Sequence, residues 1–345
     1  MNPLIWSTLV TSLLASTIIT MSSNHWLLAW LGLELNTLSI IPIIMKTHHP
    51  RSTEAATKYF LIQATAATMI LLASIMNAWQ TGQWTITHTS PTTTLLTTTA
   101  IMLKLGIAPM HLWYPQVLQG TTMNTALILS TWQKIAPLTL LYMTHNHLNH
   151  TILLLLGLTS AIIGGWAGLN QTQTRMIMAF SSISHMGWLI TAMTLNQSLK
   201  TLTMMTYMIM TLATFVPLAA TTTKTITDTG TTWSLSPATL TTTMVMLMSL
   251  GGLPPLTGFM PKLLILKELS SAGLIMIATT ILMTSLPSLF FYIRLAYLTM
   301  LTIPPTTTNT EYKWRFKPTQ LAHTATAIMT TALLLPLTTT LYTTT

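Results

Sequence analysis

The sequence predicts an all-α, polytopic membrane protein with about eleven transmembrane helices. Half of its 345 residues are apolar and only 6% are charged, whereas a soluble domain carries about 25% charged residues. Apolar stretches of about 20 residues, the length that crosses a hydrocarbon core, recur along the chain between short polar loops. The whole chain, 1–345, is therefore expected to form a single membrane domain.

Eleven apolar stretches are predicted to span the membrane. Many of them carry Thr where Val or Ile is more usual, and Thr is tolerated in lipid because its hydroxyl can bond the backbone of its own helix. The predicted limits are 3–20, 26–45, 55–78, 92–113, 122–144, 151–170, 176–195, 201–222, 238–260, 273–300 and 320–342.

The fourth and ninth spans are predicted to be broken helices. Gly106 and Pro109 interrupt 103-LKLGIAPMHLW-113, and several glycines and prolines interrupt 250-LGGLPPLTGFMPK-262. Because the breaks lie five spans apart, they would belong to units of opposite orientation, and inverted repeats with discontinuous helices are typical of transporters. The residues that match loosely between the breaks are Gly106, Pro109, Trp113 and Pro115 beside Gly251, Pro254, Phe259 and Pro261.

The charged loops predict an orientation. The net charge is +9, which in a soluble protein would suggest nucleic acid, but here most charges flank the spans and no nucleic-acid partner is expected. Cationic loops accumulate on the inner side of a membrane, so the N-terminus is predicted to lie inside. The cations on that side are Lys46, Arg51, Arg175, Lys224, Lys313, Arg315 and Lys317.

Several chemistries are excluded by the sequence. The chain has no cysteine, so it offers no disulfide, no thiolate ligand for an iron–sulfur cluster and no thiol nucleophile. It contains no glycine-rich phosphate loop, dinucleotide fingerprint or nucleophile elbow. We therefore expect neither a cofactor nor a metal ion to be bound by this chain.

Four ionisable residues lie inside or against the apolar stretches. A lysine at the bilayer centre costs about 2.5–3.5 kcal/mol on insertion scales, and such residues by default mark an ion or proton path. Lys134 lies in the middle of a span, one turn before Pro137, which is expected to kink the helix. The four residues are Glu34, Lys104, Lys134 and Lys262.

Glu34 is the carboxylate that lies within an apolar run. It would remain charged there only beside a cation, and Lys104 is the candidate. At about 4 Å and an effective dielectric constant near 20, one charge pair is worth about 4 kcal/mol, and moving a proton across ~150 mV costs about 3.5 kcal/mol. Forming and breaking this pair is therefore enough to load or release a proton on a neighbouring lysine.

Each of these residues also has an ordinary structural explanation. A lysine near the end of a span commonly extends its ammonium group to the interface, which is the alternative for Lys262 and the preferred interpretation of Lys58 and Arg294. Glu34 could make a purely structural hydrogen bond. His185 lies in a span and could relay protons, although a hydrogen-bonded core histidine is the simpler interpretation.

Five segments carry a resemblance to a known family: 50-PRSTEAATKYFLIQA-64, 104-KLGIAPMHLWYPQV-117, 131-TWQKIAPL-138, 168-GLNQTQTRMIMAFSSISHMGW-188 and 249-SLGGLPPLTGFMPK-262. They closely resemble the chain 2 family of NADH–ubiquinone oxidoreductase, the mitochondrially encoded, antiporter-like membrane subunits of respiratory complex I. The resemblance extends through nearly the whole chain. It is weakest in the Thr-rich stretches 81–99 and 221–243 and after about residue 300.

This resemblance implies a fold and a set of site residues. Members of the family have two inverted five-helix repeats, each with a broken helix, which would occupy 1–144 and 150–300 and be followed by a C-terminal helix at 320–342. Animal members lack three N-terminal helices of the bacterial forms, which fits eleven spans. The proton-path acid, its pair lysine, the central lysine, the distal lysine and a histidine between the last two correspond to Glu34, Lys104, Lys134, Lys262 and His185.

The resemblance also implies a function. The chain would be a proton-translocating core subunit of the mitochondrial inner membrane, with its N-terminus on the matrix side. NADH, FMN, iron–sulfur clusters and ubiquinone would be bound by partner subunits. Its own partners would be other membrane subunits, including further antiporter-like chains, and phospholipids. The alternatives are a stand-alone cation/proton antiporter and a membrane scaffold with inert lysines.

Overall fold

The computed structural model describes residues 3–45, 49–231 and 237–300. The chain divides into two units, Met1–Leu153 and Leu154–Thr345. Outside the described residues lie the predicted C-terminal helix and four of the loop cations: 320–342, Lys46, Lys313, Arg315 and Lys317.

The first unit consists of seven α-helices and a short 3-10 helix in the described residues. Pro50 and Pro91 occupy first helical positions, where the missing N–H costs no helical hydrogen bond, and Gly82 and Gly106 end the same two helices in the left-handed conformation. The helices are α1 (Pro3–Ser22), α2 (Trp26–Ile44), α3 (Pro50–Thr81), α4 (Pro91–Leu105), α5 (Trp113–Gly120), α6 (Met123–Ser130), α7 (Trp132–Met143) and the 3-10 helix His145–His147.

In the first unit, α2 packs against α1 and α3, and α3 packs against α4 and α5. Gly32 of α2 lies so close to α1 that an added Cβ would be 2.5 Å from Thr20 Cγ2. Polar side chains of α2 and α3, among them Asn36 and Gln63, are buried inside this unit.

The second unit contains seven helices in the described residues. There, α12 packs against α10 and α14, and α9 packs against α10. The helices are α8 (His150–Gly168), which begins in the last residues of the first unit, α9 (Thr174–Met193), α10 (Gln197–Ala220), α11 (Ile226–Thr231), α12 (Pro237–Gly251), α13 (Phe259–Ser271) and α14 (Ile275–Met300).

The predicted all-helical membrane class is confirmed. Among residues 3–45, 49–231 and 237–300, seven helices are long and apolar enough to cross a membrane, namely α1, α2, α3, α8, α9, α10 and α14. The predicted spans 92–113 and 238–260 are each divided by a break, as expected. The predicted span 122–144 is also divided, because α6 ends at Ser130 and α7 begins at Trp132.

The two helix breaks have the same backbone structure. Gly106 and Gly252 adopt positive φ angles of 68° and 81°, and each follows the last residue of its helix. The N–H of Ile107 bonds Met102 O at 3.1 Å, and the N–H of Leu253 bonds Met248 O at 3.4 Å. The structure therefore matches Gly106 with Gly252 rather than with Gly251, one residue later than the sequence comparison placed it.

Each unit also contains one isolated antiparallel bridge between two loops, His25–Thr85 in the first and Gln173–Thr225 in the second. The hydrogen bonds have the same arrangement in both units. They are Trp26 N to Trp84 O (3.1 Å) and Ile86 N to Asn24 O (3.1 Å), and Thr174 N to Lys224 O (3.1 Å) and Ile226 N to Thr172 O (3.0 Å).

Threonine and serine hydroxyls within the helices bond the backbone of their own helix. Thr97 Oγ1 donates to Thr94 O at 3.0 Å, and Thr191 Oγ1 donates to Trp188 O at 2.8 Å. Because these hydroxyls already donate to a carbonyl, they can be placed in an apolar environment at little cost, which explains the high Thr content of the spans.

Candidate functional site

The broken helix of the first unit borders a small cavity of about 20 Å³. Residues from α2, α3, α4, α5, α6 and α7 line it, so the cavity is internal to one unit. Its polar and ionisable lining residues are Asn36, Thr37, Tyr59, Gln63, Lys104, Tyr114, Gln133 and Lys134.

Lys104 lies in the last turn of α4 and is 6% exposed. The backbone carbonyls beside it are bonded by side chains, since Gln63 Nε2 donates to Lys104 O at 3.3 Å and Trp113 Nε1 donates to Leu103 O at 3.2 Å. The ammonium Nζ has no hydrogen-bond partner among the described residues. Burying a charge in this way is costly, so Lys104 needs a charged or aqueous partner in the cavity.

Glu34 lies on α2, and its Oε2 is buried with no hydrogen-bond partner in the described part of the chain. Its charge interacts electrostatically with Lys104 and with Tyr59. In the described part of the chain no salt bridge joins Glu34 to Lys104, so the two side chains lie beyond direct ion-pair distance. The structure thus brings the predicted acid and lysine into electrostatic range without joining them.

Lys134 lies in α7, three residues after Thr131, where the chain leaves helical geometry between α6 and α7. Its side chain is 3% exposed, and its Nζ lies 4.9 Å from the centroid of the Tyr114 ring, which is a cation–π distance. It lines the same cavity as Lys104. Two of the lysines predicted from the sequence therefore border the same cavity.

A chain of side-chain hydrogen bonds crosses the first unit beside this cavity. Gln133 Nε2 donates to Asn36 Oδ1 at 3.1 Å, and Tyr59 OH donates to Gln133 Oε1 at 3.4 Å. These residues come from α2, α3 and α7 and were not singled out from the sequence. The available signal was that all three are polar residues within predicted spans, with Gln133 next to Lys134.

A second small cavity, of about 40 Å³, lies beside the broken helix of the second unit. Residues from α9, α10, α12 and α13 line it, together with Gly258 at the end of the break. Its polar and ionisable lining residues are His185, Thr203, Thr206, Tyr207, Ser249 and Lys262.

Lys262 lies in the first turn of α13, and its side chain is buried. Its Nζ donates to Gly251 O at 2.9 Å and lies 5.8 Å from the Trp188 ring centroid. The break between α12 and α13 leaves carbonyl groups without helical partners, and Lys262 bonds one of them. Its ammonium group therefore points into the broken helix and does not extend to the surface of the chain.

His185 of α9 lines the same cavity as Lys262. Its Nε2 lies 3.4 Å from Tyr292 OH, and its ring centroid lies 6.0 Å from that of Tyr207. The structure thus groups His185 with Lys262, two aromatic hydroxyls and the cavity. These contacts fit both a relay and a structural role.

The two cations interpreted as interface anchors have defined contacts. Arg294 Nη1 donates to Leu169 O at 2.7 Å, just after the end of α8. Lys58 pairs with Glu54 one turn earlier on α3, and both side chains are exposed to a large extent. Neither residue lines one of the two cavities.

The chemistry available in both cavities is proton exchange. A lysine amine both accepts and releases a proton, and hydroxyl, amide and imidazole groups donate and accept hydrogen bonds. Within the ranges that the structure describes, no group of three His, Asp or Glu side chains is arranged to hold a metal ion.

Two family models match the chain. One, described as NADH:quinone oxidoreductase/Mrp antiporter, TM, matches residues 23–288, and the other, described as NADH dehydrogenase subunit 2 C-terminus, matches residues 289–342. The first model covers both cavities and all five site residues predicted from the sequence.

Relatives with the name NADH-ubiquinone oxidoreductase chain 2 match over most of their length. The Carassius auratus protein is 53% identical over 321 residues, which are 93% of this chain and 92% of that protein. The Gallus gallus protein is 52% identical over 340 residues, 98% of each.

Solved structures show the same fold. A chain of respiratory complex I from Thermus thermophilus with bound Aureothin is 25% identical, with a TM-score of 0.79 over 95% of this chain and 78% of that one. A chain of the Mrp complex from Dietzia sp. DQ12-45-1b is 18% identical, with a TM-score of 0.78 over 88% of this chain and 61% of that one. The chain belongs to the NADH-ubiquinone oxidoreductase chain 2 family.

Proposed function

We infer that the chain is a proton-translocating membrane subunit of NADH:ubiquinone oxidoreductase, respiratory complex I, in the mitochondrial inner membrane. The observation that carries this function is the presence of buried lysines beside cavities at both helix breaks, in a chain whose relatives at about 50% identity have that name. The subunit assembles with other subunits of the complex, and its own part is to move protons.

In the first unit, we propose that Glu34 and Lys104 form a charge switch. They interact electrostatically without forming a salt bridge, so a modest movement can strengthen or weaken the interaction. A pair at about 4 Å is worth about 4 kcal/mol at an effective dielectric constant near 20, comparable to the ~3.5 kcal/mol needed to move a proton across ~150 mV. Lys134, which shares the cavity with Lys104, is the group that takes up and releases the proton.

In the second unit, we propose that Lys262 carries the proton and His185 relays it. Both residues line one cavity, and His185 lies beside the hydroxyl of Tyr292. Lys134 and Lys262 would exchange protons with the two aqueous phases. Quinone reduction in a partner subunit would drive the charge rearrangement that reaches Glu34 and Lys104.

We also propose that the chain consists of two inverted five-helix repeats, 1–144 and 150–300, followed by a C-terminal helix at 320–342. Support comes from the matching order of helices, the matching breaks and the matching antiparallel bridges. The cationic loops favour an N-terminus on the matrix side.

The remaining chemistry of the enzyme is proposed to lie in other subunits. NADH, FMN, the iron–sulfur clusters and ubiquinone would bind there, in agreement with a chain that has no cysteine. Further antiporter-like chains and phospholipids would contact this subunit in the membrane, and no nucleic acid would.

The experiment that tests this function is Lys134→Met in the assembled complex in liposomes. We expect fewer protons to be transported per electron, because methionine fills similar space but carries no proton. Lys58→Met is the matched control, since Lys58 is a partly exposed cation outside the cavities. Wild-type proton transport per electron by an assembled Lys134→Met complex would falsify the proposed role.

A stand-alone cation/proton antiporter is the second candidate, favoured by the antiporter named in the matching family model and by the fold shared with the Mrp complex. It predicts cation/proton exchange by this chain alone in liposomes, without a redox partner. We expect no such exchange, since the relatives at about 50% identity have the name of the oxidoreductase.

A further inference from the structure

One buried lysine of the second unit is not used in the proposed mechanism. Lys200 lies in the first turn of α10 and is 6% exposed. The residues just before it, Asn196 and Gln197, are exposed at the turn between α9 and α10. Lys200 therefore lies directly beneath a part of the chain surface that is close to the aqueous phase.

Lys200 begins a polar stripe along α10. Residues three, six and seven positions further along are Thr203, Thr206 and Tyr207, which lie on the same side of a helix as Lys200 because neighbours at i+3 and i+4 share a face. All three line the cavity that contains Lys262. The stripe thus connects the exposed turn to the Lys262 cavity within one unit.

The length of the stripe suits a short proton path. Lys200 and Tyr207 are seven residues apart, or about 10 Å along a helix. Thr203 Oγ1 donates to Lys200 O at 3.0 Å, and Thr206 Oγ1 donates to Thr203 O at 3.1 Å. Because each hydroxyl proton is donated to a backbone carbonyl, the lone pairs of the hydroxyl oxygen are available to accept a hydrogen bond from water. Polar oxygens are therefore spaced about one helical turn apart between the two lysines.

Another lysine shows what an ordinary interface anchor looks like in this unit. Lys267, near the end of α13, is exposed, as expected when a lysine extends its ammonium group to the interface. Lys200 occupies a comparable position close to a helix end but is buried against the protein. An anchor role does not account for that burial, since a buried lysine is costly to retain.

We propose that Lys200, Thr203, Thr206 and Tyr207 form the route by which Lys262 exchanges protons with the aqueous phase at the α9–α10 turn. A proton leaves Lys262 Nζ, passes through water molecules that donate to the hydroxyl oxygens and binds neutral Lys200, which then releases a proton to the aqueous phase. Lys262 returns to its charged form by taking up the next proton. This route rests on the proposed function of Lys262.

The test is redox-driven proton transport by the assembled complex in liposomes, measured with a pH-sensitive dye. We expect Lys200→Met to lower the number of protons per electron to the same extent as Lys262→Met. Lys267→Met is the matched control and is expected to leave the yield unchanged. A wild-type yield in Lys200→Met beside a reduced yield in Lys262→Met would overturn the route and leave the proposed function intact. A wild-type yield in Lys262→Met would overturn the proposed function itself.

A second variant keeps the route testable if Lys200→Met fails to assemble. Thr206→Val removes the hydroxyl with little change in shape, and Thr201→Val makes the same change at a position that does not line the cavity. We expect a reduced rate of proton transport in Thr206→Val alone. Equal rates in the two valine variants would overturn the route.

Discussion

The two broken helices have the same backbone break but carry their lysines on opposite sides of it. Lys104 precedes its positive-φ glycine, Gly106, by two residues, and its ammonium group has no hydrogen-bond partner among the described residues. Lys262 follows Gly252 by ten residues and bonds the carbonyl of Gly251, which lies at the break itself. The ammonium group of Lys104 is therefore available to interact with a charge elsewhere in the unit, whereas that of Lys262 bonds a backbone carbonyl at the break.

This difference suggests different tasks for the two lysines. Glu34 acts electrostatically on Lys104, so we propose that Lys104 acts through its positive charge. Lys262 has a backbone acceptor, an aromatic ring and a polar cavity around it, so we propose that it acts by gaining and losing a proton. On this proposal, the same backbone break is found beside one lysine that supplies a charge, Lys104, and one that transfers protons, Lys262.

The largest expected effect separates charge from proton transfer. Arginine keeps the positive charge but does not release its proton in a protein. We expect Lys262→Arg to slow proton transfer through the second unit by about 100-fold, the usual size of a lost acid–base group. Lys104→Arg should keep most of the wild-type rate, because it preserves the charge opposite Glu34. The measurement is the initial rate of redox-driven proton uptake in liposomes, and equal losses in both variants would contradict the division of tasks.

A smaller effect is expected when the break of the second unit is altered. Gly252→Ala places a methyl group at a φ of +81° and 3.0 Å from Lys262 Nζ, whereas Gly273→Ala places it at a φ of +76° with nothing within 4 Å. Both changes should lower the free energy of unfolding by about 1–2 kcal/mol through backbone strain. Only Gly252→Ala should also lower the proton yield. Thermal unfolding and proton transport of the two variants would show this, and equal yields would argue against a critical position of Lys262.

The hydrogen bonds that join Tyr59, Gln133 and Asn36 in the first unit offer a further test. Gln133→Leu leaves Asn36 Oδ1 without its donor and should cost about 1–3 kcal/mol of stability. It should also slow proton uptake and release by Lys134, while leaving the second unit unaffected. Gln116→Leu, at an exposed position of α5, is the control. If the two leucine variants transport protons equally fast, the hydrogen bonds between Asn36, Gln133 and Tyr59 have only a structural role.

The smallest effect concerns the antiparallel bridge of the second unit. Partial burial raises the pKa of Asp228. Hydrogen bonds from Thr225 and from the N–H of Lys224, together with the Lys224 charge, lower the pKa by more than burial raises it, so the folded pKa lies below the ordinary value. The stability from these contacts is present above the unfolded pKa of about 3.9 and is lost as the pH falls through the folded pKa. We expect Asp228→Asn to reduce hydrogen-exchange protection at Thr225 near pH 7 and to match wild type at low pH. Equal protection at both pH values would rule out this contribution.

Composition and helix-length patterns were sufficient to predict most of the helices. The span predicted at 176–195 is α9, Thr174–Met193, and the one predicted at 55–78 is the longer α3, Pro50–Thr81. The helix α3 begins at Pro50 and ends just before Gly82, because proline favours the first helical position and glycine in the left-handed conformation ends a helix. The interruption at Thr131 was not predicted, because neither glycine nor proline marks it.

The site was only partly predictable. Glu34 and the three lysines could be identified from the sequence, because the free-energy cost of placing an ionisable side chain in an apolar span does not depend on the fold. Which lysines share a cavity, and the hydrogen bonds between Asn36, Gln133 and Tyr59, depend on how each helix is rotated about its axis. A one-dimensional pattern of polar and apolar residues does not specify that rotation closely enough to place individual donors and acceptors.

The most direct test of proton movement through these cavities is a map of the assembled complex at a resolution that shows ordered water. We predict water molecules in the cavity of the first unit, bonded to Lys104 Nζ and reaching toward Lys134. A cavity filled by side chains or acyl chains, with both amines turned out among the headgroups, would contradict the proposed path.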